Sequence, residues 1–235
     1  MEELLNPKDD SIHRFLERWY GVADSGENTA SSRAQEIPHE IVNWHEAAAS
    51  AGAKVTFQDH PIALANLELS DDGMIIFWVE NQNGYYWAID PVREEREVFC
   101  REDASSVWRN TGEKLDLFLL HCTVREAIIG TESKFSAMVP ASALQGCLVG
   151  FSPLPFRPLE NEIPSTRLLC SSDALARVSP PPVGYSHGGE ESWLISIAAT
   201  SESNVRKYRT SLECYIPARA GRPQSSEVSI EDIPF

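Results

Sequence analysis

The chain has 235 residues, 42% of them apolar and 23% charged, the proportions of a globular protein with a sizeable core. Thirty-five Asp and Glu against 20 Lys and Arg leave a formal charge of −15. That balance excludes nucleic acid and anionic membrane surfaces as main partners, because both are bound through clustered Lys and Arg that displace counterions.

The acidity is uneven. Residues 1–100 carry 19 acids against 7 bases, and residues 101–235 carry 16 against 13. The first block is either a solubilising surface or a face that attracts a basic protein over a distance. Residues 1–10 are acidic and lack the apolar stretch of a secretory signal. The longest unbroken apolar run, 74–79, is far short of the ~20 residues that cross a bilayer. Cys100, Cys122, Cys147, Cys170 and Cys214 are widely spaced without a C-x-x-C pair. They read as reduced thiols, mostly small buried groups, in a cytoplasmic protein.

Over residues 11–20, Ile12, Phe15, Leu16, Trp19 and Tyr20 recur at helical spacing. Asp9, Asp10 or Ser11 stands ready as cap and Gly21 as stop. Residues 24–36 are polar and turn-rich, and read as a loop. Pro38 occupies the place of a first helical residue, and Ile41, Val42, His45, Ala48 and Ala49 form a second stripe up to Gly52. Two β-prone runs, 73–79 and 85–89, joined through Glu80-Asn81-Gln82-Asn83-Gly84, predict a hairpin, with a third strand at 98–100. Alternation along the first run sets Phe77 and Val79 against Trp78. Residues 113–129 return to helical spacing, with Leu115, Phe118, Leu119, Cys122 and Ala127 or Ile128 inward and Gly130 as the end. This order predicts an α+β fold, with helices packed on one face of a mostly antiparallel sheet.

Beyond Gly130 the texture changes. Residues 151–165 and 179–191 are proline-rich connections, while 166–170, 173–178 and 192–199 read as short strands. Ser201 caps a last helix through Leu212, with Val205, Tyr208 and Leu212 on one side. The expected organisation is a domain over 1–130, a C-terminal α+β extension over 131–216 packed on or continuing it, and a flexible tail over 217–235.

No stretch carries a recognisable catalytic signature. His39-Glu40-Ile41-Val42-Asn43 approaches the zinc-protease pattern, but Asn43 replaces the second histidine. His45 lies six residues from His39, roughly 240° round a helix, so the two rings cannot share an ion. His187-Gly188-Gly189 has no G-x-S-x-G nucleophile elbow to serve, and both nucleotide-cradling glycine motifs are missing. Adjacent His121 and Cys122 diverge on a helix. Glu80 and Asp90 flank the hairpin as a carboxylate pair, a weak signal in so acidic a chain. Lys207 and Arg209, with Arg206, form the one dense basic patch and read as local charge balance. The expectation is no catalytic residue, no metal and no cofactor.

The stretch 73–91, with its apolar strand, Glu80-Asn81-Gln82, a turn, the strand Trp87-Ala88-Ile89 and then Asp90-Pro91, resembles the central motif of the SUKH superfamily. Val98-Phe99, Trp108 and the Leu/Phe-rich run 115–120 resemble its continuation, and the Pro38-started helix its N-terminal helix. This resemblance spans about residues 10–130 and extends more faintly over 140–212. It implies a non-enzymatic, protein-binding module, chiefly an immunity protein that neutralises a bacterial toxin, often a nuclease, by direct contact. The family also includes a yeast cell-wall assembly regulator, which implies a cytosolic scaffold as the alternative. An enzyme with a dispersed site is the third reading. Glu80, Asn81, Gln82, Trp87 and Asp90 are the partner-contact candidates, with a basic toxin domain as the expected partner.

Overall fold

The computed structural model describes residues 1–22, 37–182 and 191–216. The expected loop 24–36, the His187-Gly188-Gly189 turn and the expected tail 217–235 lie outside the described residues.

Helices α1 (Glu2–Leu5), α2 (Ser11–Tyr20) and α3 (His39–Ser50) precede a five-stranded antiparallel meander. Its strands are β1 (His60–Pro61), β2 (Ile75–Val79), β3 (Tyr86–Ile89), β4 (Glu97–Arg101) and β5 (Arg109–Lys114), adjacent in chain order. Helix α4 (Leu115–Gly130) follows at once. A second antiparallel sheet then forms from β6 (Lys134–Pro140), β7 (Ser152–Pro153), β8 (Arg167–Cys170), β9 (Ala174–Ser179) and β10 (Ser192–Ala199), in the spatial order β6-β10-β9-β8-β7. Helix α5 (Ala141–Cys147) leaves β6, and α6 (Glu202–Ser211) follows β10. The fold is α+β, built on two antiparallel sheets. Among the described residues no helix is long and apolar enough to cross a membrane.

Helix α4 organises both halves. Leu115, Phe118, Leu119, Leu120, Cys122, Val124, Ala127 and Ile128 are all buried, so its apolar surface runs round the whole helix. The single inward stripe expected from the sequence is therefore corrected. The helix contacts α2 and α3, β4 and β5 of the first sheet, and β9 and β10 of the second. A helix apolar on every side is stable only when covered on every side. The second sheet alternates accordingly: Leu168, Cys170, Leu175 and Ala198 join the core around α4, while Leu169, Ala174, Ala176, Ile195 and Ile197 enter a second cluster with Val205 and Leu212. The strands after residue 131 thus complete the core that the first 130 residues begin.

Four polar side chains on α4 are buried too, and each has a partner. Glu126 accepts the backbone N–H groups of Phe57, Gln58 and Asp59, the last two at 2.7 and 3.0 Å. Arg125 pairs with buried Asp59 and lies 3.4 Å from Glu162, which Arg177 approaches at 3.1 Å. His121 meets Glu113 at 3.2 Å and stacks on Phe156. Thr123 accepts the Trp44 indole N–H at 2.8 Å and donates to the Leu119 carbonyl. Glu113, expected at the start of the helix, instead belongs to β5, from which it reaches His121.

The proline-rich stretch 151–165 is a strap rather than a loose connection. Phe156 covers His121, the Arg157 N–H donates to Glu113 at 3.0 Å, and Glu160 accepts the Trp87 indole N–H at 3.1 Å. Gly130 is the last residue of α4, and its role is close approach: a Cβ there would collide with the Phe57 ring.

The N-terminal helices form where their spacing predicts, with Gly21 at φ +75° closing α2. On α3 the buried positions are Ile41, Trp44 and Ala47, whereas Ala49 is exposed, so the stripe is rotated by one residue from expectation. Strict alternation fails in β2, where the pairing with β3 shifts between Ile76 and Trp78. Phe77 meets Phe118 on α4, and Trp78 meets Trp44 on α3. A bulge of this kind re-aims neighbouring side chains, here toward the same helical layer.

Two predictions test this account. Arg125→Met removes the cation that buried Asp59 faces and should cost about 3–5 kcal/mol in chemical denaturation, with Asp59→Asn added to it recovering part of the loss. At the exposed end of the first sheet, Asp72 accepts from Ser70, from the Trp108 indole N–H and from Arg101, the last two at 2.8 Å. These bonds hold its carboxyl at about 2, below the ordinary 3.8. The native contacts of Asp72 therefore add stability above pH 3.8, which is lost as the pH falls through about 2. The Trp108 indole resonance should follow that titration by NMR and should cease to do so in Asp72→Asn.

Candidate partner-binding site

The residues singled out from the sequence fall in three different settings. Glu80 precedes the β2–β3 turn and uses its carboxylate internally, accepting the N–H groups of Gln82 at 2.9 Å and Gly84 at 3.1 Å. Asn83 takes φ +58° at the tip, a conformation asparagine tolerates. Asn81 is half-buried and Gln82 exposed. Trp87 is fully buried, against Tyr85 and Phe118, so it presents no surface to a partner. That corrects its place among contact candidates: β3 is covered by α4 on this face, and Trp87 is a core residue there. Asp90 lies past the far end of β3, where it holds the next turn through Val92 N–H at 3.0 Å and Arg93 at 3.1 Å.

Glu80 is bonded across the hairpin to Tyr85, five residues before Asp90. At a strand rise of ~3.4 Å per residue the two carboxylates are roughly 17 Å apart, well beyond the ~5 to 9 Å of a glycosidase pair. His39 and His45 also part company: His39 faces Arg96, and His45 meets the Ile62 carbonyl at 3.1 Å, with burial pushing its pKa down. Among the described residues no three His, Cys, Asp or Glu side chains are gathered as a metal site requires. Lys207 and Arg209 are held by Asp173 and Glu202.

The feature that sequence reasoning missed is a cleft of about 580 Å³ between α2 and α3. Ile12, Trp44 and Ala47 supply apolar lining, and Asp9, Asp10, Glu40, Glu46 and Asp116 supply five carboxylates, with His13 and His39 between them. The starts of α2, α3 and α4 all open onto it. Carboxylates in a first helical turn are favourable there, because each helix N-terminus carries about half a positive charge. That local reason suits Asp9, Asp10, Glu40 and Asp116 one by one, but not Glu46, which stands two turns into α3. It does not neutralise them together.

Glu40 is paired with Arg96, whose backbone sits in the left-handed region at φ +45° while its carbonyl accepts the Leu115 N–H at 3.0 Å. Asp10 has a long 3.9 Å contact with the exposed Arg14. Asp9, Glu46 and Asp116 have no ion pair among the described residues. Five carboxylates against one firm guanidinium and three half-charges leave the cleft negative by roughly two to three charges among the described residues. The signal available in the sequence was the run of acids at helix starts. Their convergence is a tertiary fact.

Comparison of the chain with protein-family models, with curated proteins and with solved structures finds no match.

The turn account of Glu80 has a direct consequence. Glu80→Gln should weaken the two charge-assisted bonds to residues 82 and 84, costing about 1–2 kcal/mol in denaturation. Faster amide exchange confined to the 80–85 turn is the accompanying readout.

Proposed function

We propose that this protein is a non-enzymatic binding module, an immunity protein of the SUKH kind that neutralises a basic toxin domain by occupying it. The observation that carries the reading is the acidic cleft between α2 and α3, with three carboxylates that meet no cation among the described residues beside an apolar lining. A basic surface supplies the missing cations, and a nuclease must present such a surface to its substrate. Charge of this density accelerates encounter, and Lys or Arg side chains seated on Asp9, Glu46 and Asp116 give charge-assisted bonds once docked. The SUKH-like stretch 73–91 supports the family side of the reading, with the exposed hairpin tip at Gln82 as an additional contact. Action in the cytoplasm and independence from any cofactor go with it.

Binding to the C-terminal domain of a toxin encoded beside this gene, measured by calorimetry across ionic strength, tests the proposal. Affinity should fall at least about tenfold between ~50 and ~500 mM salt. Glu46→Lys combined with Asp116→Lys should weaken it by at least about tenfold while leaving the circular dichroism spectrum unchanged. An affinity indifferent to both salt and charge reversal would remove the cleft from the mechanism.

A further inference from the structure

A second groove, of about 570 Å³, lies beside α5 and shares no lining residue with the acidic cleft. Leu144, Leu148, Val149 and Phe151 line it, together with two polar residues, Gln145 and Arg167. Val149 is 78% exposed, so part of this apolar lining stands in water. The Phe151 ring is held against Tyr208 of α6, with centroids 5.1 Å apart, which anchors that part of the lining to the second sheet's own helix. Arg167, the first residue of β8, is exposed. In a chain with 35 acids an exposed guanidinium has many possible partners, yet among the described residues Arg167 has no ion pair. Its guanidinium lies instead over the Trp193 ring of β10, 5.5 Å from the centroid. Stacking of this kind orients the planar fork and leaves its N–H edge for an acceptor.

We propose that this groove binds a monocarboxylate with a hydrocarbon body, a fatty acid of medium chain length. The carboxylate meets the Arg167 fork, with the Gln145 amide as a second donor, and the chain lies along Leu144, Leu148, Val149 and Phe151. The volume falls within the ~300–1,000 Å³ of small-ligand sites, which are mostly apolar with a few placed polar groups. Charge and lining together select this class. A peptide or a sugar laid here would lose water from amides or hydroxyls that the lining has almost no groups to replace. A dianionic phosphate would enter a chain of net charge −15 with a single guanidinium to offset it. A carboxylate needs only one planar fork, which it meets through two parallel N–H···O bonds. The site is separate from the cleft assigned to the protein partner and does not depend on that assignment.

Titration of the isotope-labelled full-length chain with octanoate, followed by NMR, tests the assignment. Amide shifts should saturate and should concentrate at residues 141–151 and at Arg167. Octanol, which keeps the chain and drops the charge, and acetate, which does the reverse, should each bind at least about tenfold more weakly. Arg167→Gln should weaken octanoate binding by at least about tenfold. Val149→Asp, which sets a carboxylate against the ligand's own, should weaken it at least as much. Both positions are exposed, and spectra unchanged away from the groove show that each variant keeps the fold. Octanoate binding that ignores both substitutions, shifts centred elsewhere on the protein, the absence of saturable binding, or tighter binding of an acidic peptide than of octanoate would overturn the proposal.

Discussion

A helix covered on every side must find an internal partner for each polar group it buries, and α4 buries four. An unpaired buried amide or hydroxyl costs about 1–3 kcal/mol, and an unpaired buried charge considerably more. Each group on α4 therefore dictates where some other part of the chain has to be. Glu126 gathers three successive amides and fixes the path of residues 57–59. Arg125 brings Asp59 in from one side and Glu162 from the other, joining the approach to the first sheet with the strap that leads to the second. His121 does the same for β5 and Phe156, and Thr123 for α3 through Trp44. Apolar burial supplies the drive to enclose the helix, and the polar set selects one enclosure among many.

The cleft follows from that enclosure. Because α4 is central, α2 and α3 lie against it, and the start of α4 is fixed by the carbonyl of Arg96. Three helix starts then face a common space, each with the acids that suit a helix start. A favourable local choice repeated three times becomes an unfavourable collective one, since carboxylates that would be dispersed on separate helices now repel one another. Arg96 relieves one of the five, at the expense of a left-handed backbone that a non-glycine residue adopts only under constraint. Asp10 has only the long 3.9 Å contact with Arg14, and Asp9, Glu46 and Asp116 meet no cation among the described residues.

Much of the fold was legible because it is written in short-range patterns. The stripe Phe15-Leu16-Trp19, the hairpin at Glu80–Gly84 and the Ser201 cap, which accepts the Asn204 N–H, rest on residues a few positions apart. What escaped depends on distant partners. The 109–114 strand reads RNTGEK, with no β-branched run, and is a strand because β4 lies beside it. Helix α4 looked one-sided because periodicity reports the strongest face and says nothing about β9 and β10 of the second sheet, which cover it from residues 174–179 and 192–199. The strap 151–165 looked like a linker because proline and glutamate suggest solvent, yet Glu160 and Glu162 each meet a donor supplied by the core. For the site, Glu80 and Asp90 were visible as acids at turns, where their carboxylates bond the turns themselves.

That last contrast separates two kinds of acidic residue in one chain. At Glu80, Asp90 and Asp103 the carboxylate accepts N–H groups from residues two to four places ahead and is satisfied within its own turn. Such a group has little to gain from a partner, because docking would compete with bonds already made. At Asp9, Glu46 and Asp116 no cation is met among the described residues, and the neighbouring surface of Ile12, Trp44 and Ala47 lowers the local dielectric that screens them. An incoming ammonium or guanidinium gains attraction there without breaking a native bond. Acidic residues that already serve a turn stabilise the fold, whereas Asp9, Glu46 and Asp116, unpaired among the described residues beside apolar surface, keep their full attraction for a cation.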